Sequence, residues 1–148
     1  MTETKHKAEG KRQIETASET ETAAAGESLG RELGAGDVVL LYGDLGAGKT
    51  AFVRGLARGL GANPDEVSSP TFTLVQEYAG PAVVLYHVDL YRLAPAEIDD
   101  LGLEDLVSGD GVVAIEWADR WSGRPDDVTE VRITDAGDER RSIAITRA

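Results

Sequence analysis

The clearest chemistry in the sequence lies in Gly43-Asp44-Leu45-Gly46-Ala47-Gly48-Lys49-Thr50. This run fits the pattern G-x-x-x-x-G-K-[ST]. Glycines let the main chain curl until several N–H groups point inward at phosphate oxygens. Lys49 adds a point charge for the terminal phosphates. The Thr50 hydroxyl offers a ligand to Mg2+, which would bridge the outer phosphates. The flanks agree with this reading. Val38 to Tyr42 is a continuous apolar run, as expected of a buried parallel strand. Phe52, Val53, Leu56 and Leu60 recur at helical spacing over about Lys49 to Leu60, and that helix would turn its positive end toward the loop. A chance glycine-rich turn would not come with both flanks.

A magnesium–phosphate site also needs acids, delivered in this architecture from the ends of neighbouring strands. Two apolar runs end in one: Val83 to Asp89 and Gly111 to Glu116. If both strands lie parallel to the first, Asp89 and Glu116 arrive at the same edge as the phosphates. One would hold magnesium and the other would orient or deprotonate the attacking water; spacing alone does not say which. Either acid alone could be a cap or a surface carboxylate. Ser68, Ser69, Thr71 and Thr73 crowd hydroxyls around Pro70, as a switch-like loop or as an ordinary turn. Trp117 could pack near a nucleotide or close the core edge. His87 alternates with Asp89 on one strand face and reads as a structural histidine rather than a metal ligand. The acidic stretch from Glu97 to Asp105 reads as a solvated helix face.

The elements that must position these residues follow from pattern. Residues 1–15 are rich in Lys, Glu and Thr and are expected to be a disordered tail; residues 16–148 are expected to form one domain of ordinary size. Ser18 is a plausible N-cap for a helix from about Glu19 to Leu33, ended by Gly34 and Gly36. Thr71 to Tyr78 is β-rich. Pro95 to about Leu106 is expected to be helical, with proline in its first turn. Glu130 to Thr134 and Arg141 to Thr146 alternate around Asp135-Ala136-Gly137-Asp138, a hairpin signal. The fold class is therefore α/β: a mostly parallel central sheet with helices on both faces and an antiparallel C-terminal hairpin. The 148 residues include no cysteine, which excludes disulfides and cysteine-based zinc sites. No apolar run approaches the roughly 18 residues of a membrane helix, and the polar N-terminus lacks a secretory apolar stretch. A cytoplasmic location is the expectation. A net charge of −12 suits docking on a basic protein surface and ill suits a stand-alone nucleic-acid binder.

Four motifs stand in one order: Gly-Asp-Leu-Gly-Ala-Gly-Lys-Thr at 43–50, Ser-Pro-Thr-Phe-Thr at 69–73, His-Val-Asp-Leu-Tyr-Arg at 87–92 and Ile-Glu-Trp at 115–117. Together they resemble the bacterial TsaE (YjeE) family, the ATPase component of tRNA threonylcarbamoyladenosine synthesis. The resemblance runs from about Ser18 to the C-terminus. It implies a P-loop NTPase-type three-layer sandwich that binds ATP and Mg2+ and hydrolyses ATP slowly alone. The implied partners are TsaD and TsaB, which modify adenosine 37 of tRNAs reading codons that begin with A; tRNA itself would be met only through that complex. By position, the resemblance makes Lys49 a phosphate ligand, Thr50 and Glu116 magnesium ligands, and Asp89 the acid near metal and water. It puts Thr71 and Thr73 in a switch-like loop, Trp117 at the active-site edge, and Glu19 near the nucleotide base. Asp44, Leu45, Gly46, Ala47 and Gly48 would complete the phosphate cradle. Ala51 departs from the pattern, since many members carry a second threonine there.

Other readings of the same loop are a small-molecule kinase, against which the lack of an arginine-rich lid counts, and a nucleotide-gated binding module without turnover. Arg92 and Arg120 are the candidates for an arginine finger, unless a partner supplies one. No Asn-Lys-x-Asp motif for guanine is present.

Overall fold

Strands β2 (Val38–Tyr42) and β5 (Val112–Glu116) are apolar on both faces, and they lie side by side in parallel at the centre of the sheet. The computed structural model describes residues 10–44, 48–65, 75–91 and 93–147. Its remaining strands are β1 (Gly10–Thr16), β3 (Val75–Ala79), β4 (Val84–Asp89), β6 (Thr129–Gly137) and β7 (Arg140–Arg147). Their spatial order is β1-β7-β6-β2-β5-β4-β3. The central four, β6-β2-β5-β4, are mutually parallel. Both flanks are antiparallel: β3 on β4 at one side, β7 on β6 and β1 on β7 at the other.

Alternation along the central strands divides the core in two. Val39, Leu41, Val112 and Ala114 face helices α1 (Glu19–Gly30) and α2 (Lys49–Gly59), packing with Leu29, Phe52, Val53 and Leu56. Val38, Leu40, Val113 and Ile115 face the other way, toward Ile98 of α3 (Pro95–Asp99), Leu103 of α4 (Leu103–Val107) and Trp121, which follows a 3-10 turn at Ala118–Arg120. The result is the expected three-layer α/β sandwich.

Helix α1 begins at a serine cap, with a second bond just before it. Ser18 Oγ accepts from the Glu21 amide at 3.1 Å, and Glu21 Oε1 accepts from the Ala17 amide at 2.7 Å. It then lies against α2 through glycines on both helices. A Cβ on Gly26 would fall 2.1 Å from the Phe52 carbonyl oxygen, and one on Gly55 would fall 1.9 Å from that of Ala23. Gly30 and Gly59 are similarly closed, by the carbonyls of Leu56 and Glu27. Only residues without a side chain allow this approach, which sets the start of α1 beside the start of α2.

Two expectations need correction. Residues 10–15 are not a disordered tail. They form β1, in register with β7 from Gly10 opposite Arg147 to Thr16 opposite Arg141. Its polar sequence hides the strand because the face it shares with Ile14 carries Arg12, one half of a two-pronged ion pair, donating to Glu32 at 2.7 and 2.5 Å. Residues 1–9 lie outside the described part. The single helix expected over Pro95 to Leu106 is two short ones, because Gly102 takes a left-handed conformation (φ +76°) between them.

The glycine contact predicts that Gly55→Ala lowers unfolding stability by about 2–3 kcal/mol, read from urea denaturation. Gly34→Ala, with nothing within 4 Å of the added atom, should stay within about 0.5 kcal/mol of the parent. The ion pair predicts a pH signature. The hydrogen bonds from Arg12 hold the Glu32 carboxyl below its ordinary value of 4.5, with burial opposing them. A depressed carboxyl contributes stability above its unfolded value and loses it as pH falls through the folded one. Glu32→Gln should therefore cost under about 1 kcal/mol near neutrality, as suits a pair whose arginine is 37% exposed. The deficit should shrink as pH drops below 4.5.

Candidate functional site

At the C-terminal edge of the parallel strands, β2 stops at Tyr42 and the chain turns through Gly43, whose φ is +154°. It re-enters regular structure at Gly48 (φ +101°), the residue that caps α2. Both values favour glycine, which accounts for the two fixed glycines of the motif. Leu45, Gly46 and Ala47 lie outside the described residues, as do Thr71, Thr73 and Arg92. The first amides of α2 have no partners within the helix, so the helix presents donors and its positive end to this edge.

The edge opens into a cleft of about 910 Å³. Glu19, Gly48, Lys49, Thr50, Asp89, Glu116 and Trp117, all singled out from the sequence, line it together. Asp44 is exposed and stands outside this lining. Parallel pairing explains the two acids: Asp89 of β4 is opposite Glu116 of β5, and Leu41 of β2 is opposite Glu116 on the other side.

Lys49 is the hub. It is 5% exposed, and its Nζ donates to the Gly43 carbonyl at 2.6 Å. Glu116 Oε1 stands 3.9 Å away, and the Trp117 ring centroid 4.4 Å away. A buried charge requires such surroundings. Trp117 reaches that position by adopting φ +60° immediately after β5. For a bulky side chain this costs about 1–3 kcal/mol. The ring is also stacked obliquely on Tyr91, with centroids 4.9 Å apart. Asp89 Oδ1 accepts from the Tyr91 amide at 3.0 Å, which fixes the turn after β4.

The structure gives His87 a partner and adds residues that the motifs did not reveal. His87 Nε2 meets Glu116 Oε2 at 2.5 Å. Glu139 and Arg141 come from the β6–β7 hairpin, and Arg54, Gln76 and Tyr78 from α2 and β3. Glu139 Oε1 accepts from the Glu19 amide at 3.2 Å, tying the hairpin to the start of α1. Arg141 passes beside Gly48, its Nε 3.4 Å from where a Cβ would stand, while its Nη1 donates to the Asp138 and Arg140 carbonyls at 2.9 and 2.7 Å. Burial pushes the Tyr78 hydroxyl up, with Arg54 opposing and Glu116 adding to the shift. Arg120, expected as a finger candidate, instead points at the Leu93 carbonyl, 3.3 Å away; Arg141 is the arginine that this fold brings beside the loop. The hairpin lies some ninety residues from the loop in sequence, and only the strand order signals their meeting.

Three cations (Lys49, Arg54, Arg141) face five carboxylates (Glu19, Asp65, Asp89, Glu116, Glu139) among the described lining residues. This balance suits an anion that arrives with a divalent cation better than a bare one. Among the described residues no group of three or more His, Asp or Glu side chains could hold a metal by itself. Mg2+ needs none, because it keeps waters and phosphate oxygens in its shell and takes few protein ligands. The Thr50 hydroxyl and the Asp89 and Glu116 carboxylates are hard oxygen donors of the required kind.

Comparison with known proteins finds one family. A family model described as "Threonylcarbamoyl adenosine biosynthesis protein TsaE" matches residues 16–143. The tRNA threonylcarbamoyladenosine biosynthesis protein TsaE of Nostoc sp. is 45% identical over 129 residues, covering 84% of this chain and 79% of the relative. The protein of the same name from Treponema pallidum is 44% identical, covering 84% and 93%. The crystal structure of Bacillus subtilis YdiB superposes with a TM-score of 0.74 at 34% identity, covering 94% of this chain and 86% of that one.

Because Trp117 touches Lys49 while Trp121 is buried at 1% exposure, occupation of the cleft by a magnesium nucleotide should change tryptophan emission through Trp117 alone. Trp117→Phe should abolish most of the change seen on titration with Mg·ADP. A response of full size in that variant would mean that the ligand sits elsewhere.

Proposed function

The chain belongs to the TsaE family, and we propose that it is a magnesium-dependent ATPase serving tRNA threonylcarbamoyladenosine synthesis as a subunit beside TsaD and TsaB. The observation that carries the ATPase reading is the buried Lys49 beside Glu116 at the foot of a strand–loop–helix turn. A glycine-bounded loop, a buried ammonium and paired strand-end carboxylates in one cleft suit a magnesium nucleoside triphosphate, and the lack of an Asn-Lys-x-Asp guanine motif favours ATP. The relatives' names supply the pathway.

In this reading the amides at the start of α2 receive the phosphates. Lys49 exchanges the Gly43 carbonyl for a terminal phosphate oxygen. Thr50 and Glu116 would hold the magnesium ion, whose charge would offset that of the outer phosphates. Asp89, directly across the β4–β5 pairing, orients the water that attacks the terminal phosphorus. Arg141 lies beside Gly48, toward the inner phosphates, and Glu19 and Glu139 close the end where α1 meets the hairpin. Water adds to phosphorus and the bridging oxygen departs with ADP.

Two features support a subunit that is weak alone. Arg141, the arginine beside the loop, spends its Nη1 on the Asp138 and Arg140 carbonyls, and an arginine supplied by a partner is worth about 10³–10⁵ in related phosphoryl transfers. The net charge of −12 works against direct grip on tRNA phosphates and in favour of protein contact. No described helix is long and apolar enough to cross a membrane.

The test is ATP turnover and ADP binding with and without TsaD and TsaB. Lys49→Ala should lower nucleotide affinity or turnover by about 100-fold, the scale of losing a charge-assisted contact. Glu116→Ala should chiefly remove the dependence on Mg2+. Normal hydrolysis by both variants in the presence of the partners would refute the site; wild type that never turns over with them would refute the ATPase.

A further inference from the structure

Glu116 is gripped from two sides below the cleft. His87 Nε2 meets its Oε2 at 2.5 Å, and Lys49 Nζ stands 3.9 Å from its Oε1. The three side chains are 11%, 8% and 5% exposed. At 3.9 Å the lysine and the carboxylate are not hydrogen-bonded. Two opposite charges so poorly screened attract strongly, and unopposed they would close to a direct contact. Each is held back by another partner: Lys49 by the Gly43 carbonyl at 2.6 Å, Glu116 by His87.

We propose that His87 is a positioning residue for the magnesium site. It anchors Glu116 by one oxygen and stops the carboxylate from collapsing onto Lys49. The other oxygen then stays directed at the metal position, and the lysine stays available to phosphate. This rests on the reading of the cleft as a magnesium–nucleotide site. Strand β4 builds the arrangement. His87 and Asp89 are two residues apart, so they share a face, and the parallel register sets them opposite Ala114 and Glu116. The small Ala114 opposite His87 suits a ring that reaches along the strands to Glu116. A purely structural histidine would satisfy a buried acid and nothing more, and the two roles differ in what they do to metal binding.

The experiment is a titration of Mg2+ into protein with a fluorescent ADP analogue, read as the Mg2+ concentration at half-maximal binding. His87→Ala should raise that concentration about tenfold, the lower end of what loss of a ligand-orienting partner does. His87→Gln, whose amide can donate to the same oxygen, should recover most of the loss; His87→Asn, too short to reach, should not. The double variant His87→Ala/Glu116→Gln should be no worse than Glu116→Gln alone, because both act through one carboxylate. If His87→Ala does not fold, the Gln and Asn variants carry the comparison. A half-saturation within about twofold of wild type in both His87→Ala and His87→Asn overturns the proposal, as do effects of His87→Ala and Glu116→Gln that multiply in the double variant. Wild type that binds the analogue without regard to Mg2+ overturns the underlying reading along with it, whereas Mg2+-dependent wild type with indifferent His87 variants overturns the positioning role alone.

Discussion

A single buried ammonium group organises the working edge of this molecule. Lys49 is withdrawn from water and must find oxygens and a ring face to replace it. It finds them in the Gly43 carbonyl, the Glu116 carboxylate and Trp117. Those three partners come from the end of β2 and the end of β5, so the lysine is satisfied only when the two central strands run in parallel and in register. The contact with Gly43 is also one that an incoming phosphate oxygen can replace. In the proposed function the same position would serve as a structural tie without ligand and as a phosphate contact with it.

The rest of the fold holds this edge still. Both faces of the central strands are covered, which keeps their ends from shifting. The glycine contact between α1 and α2 brings the start of one helix beside the start of the other, so Glu19 lines the cleft that α2 closes. The β6–β7 hairpin completes the wall through Glu139 on the Glu19 amide and Arg141 beside Gly48. The bond from the Glu19 amide to Glu139 links the helix to the hairpin.

Much of this was legible in the sequence, for reasons particular to each element. Val38–Tyr42 and Val112–Glu116 are apolar without alternation because both faces are buried, and an acid closing such a strand must surface at its end. That logic sets Asp89 and Glu116 at one edge. β1 was not legible: the face it shares with Ile14 carries Arg12, and the partner of that half-exposed arginine, Glu32, lies twenty residues along the chain. The helix break at Gly102 was missed because a glycine inside a helical pattern does not announce a positive φ. His87 read as a satisfied histidine and is one, but its partner, Glu116, is twenty-nine residues away and becomes visible only through the β4–β5 pairing. Glu139 and Arg141 were invisible for the same reason, since hairpin patterning gives the strands but not what their turn will touch.

The most direct measurement is a crystal structure of the protein with Mg2+ and ADP. The account predicts the diphosphate against the main-chain amides between Gly43 and Thr50, with Lys49 Nζ moved off the Gly43 carbonyl onto a phosphate oxygen and the metal beside Thr50. Nucleotide bound away from that loop, or bound there with Lys49 still on Gly43, would contradict it.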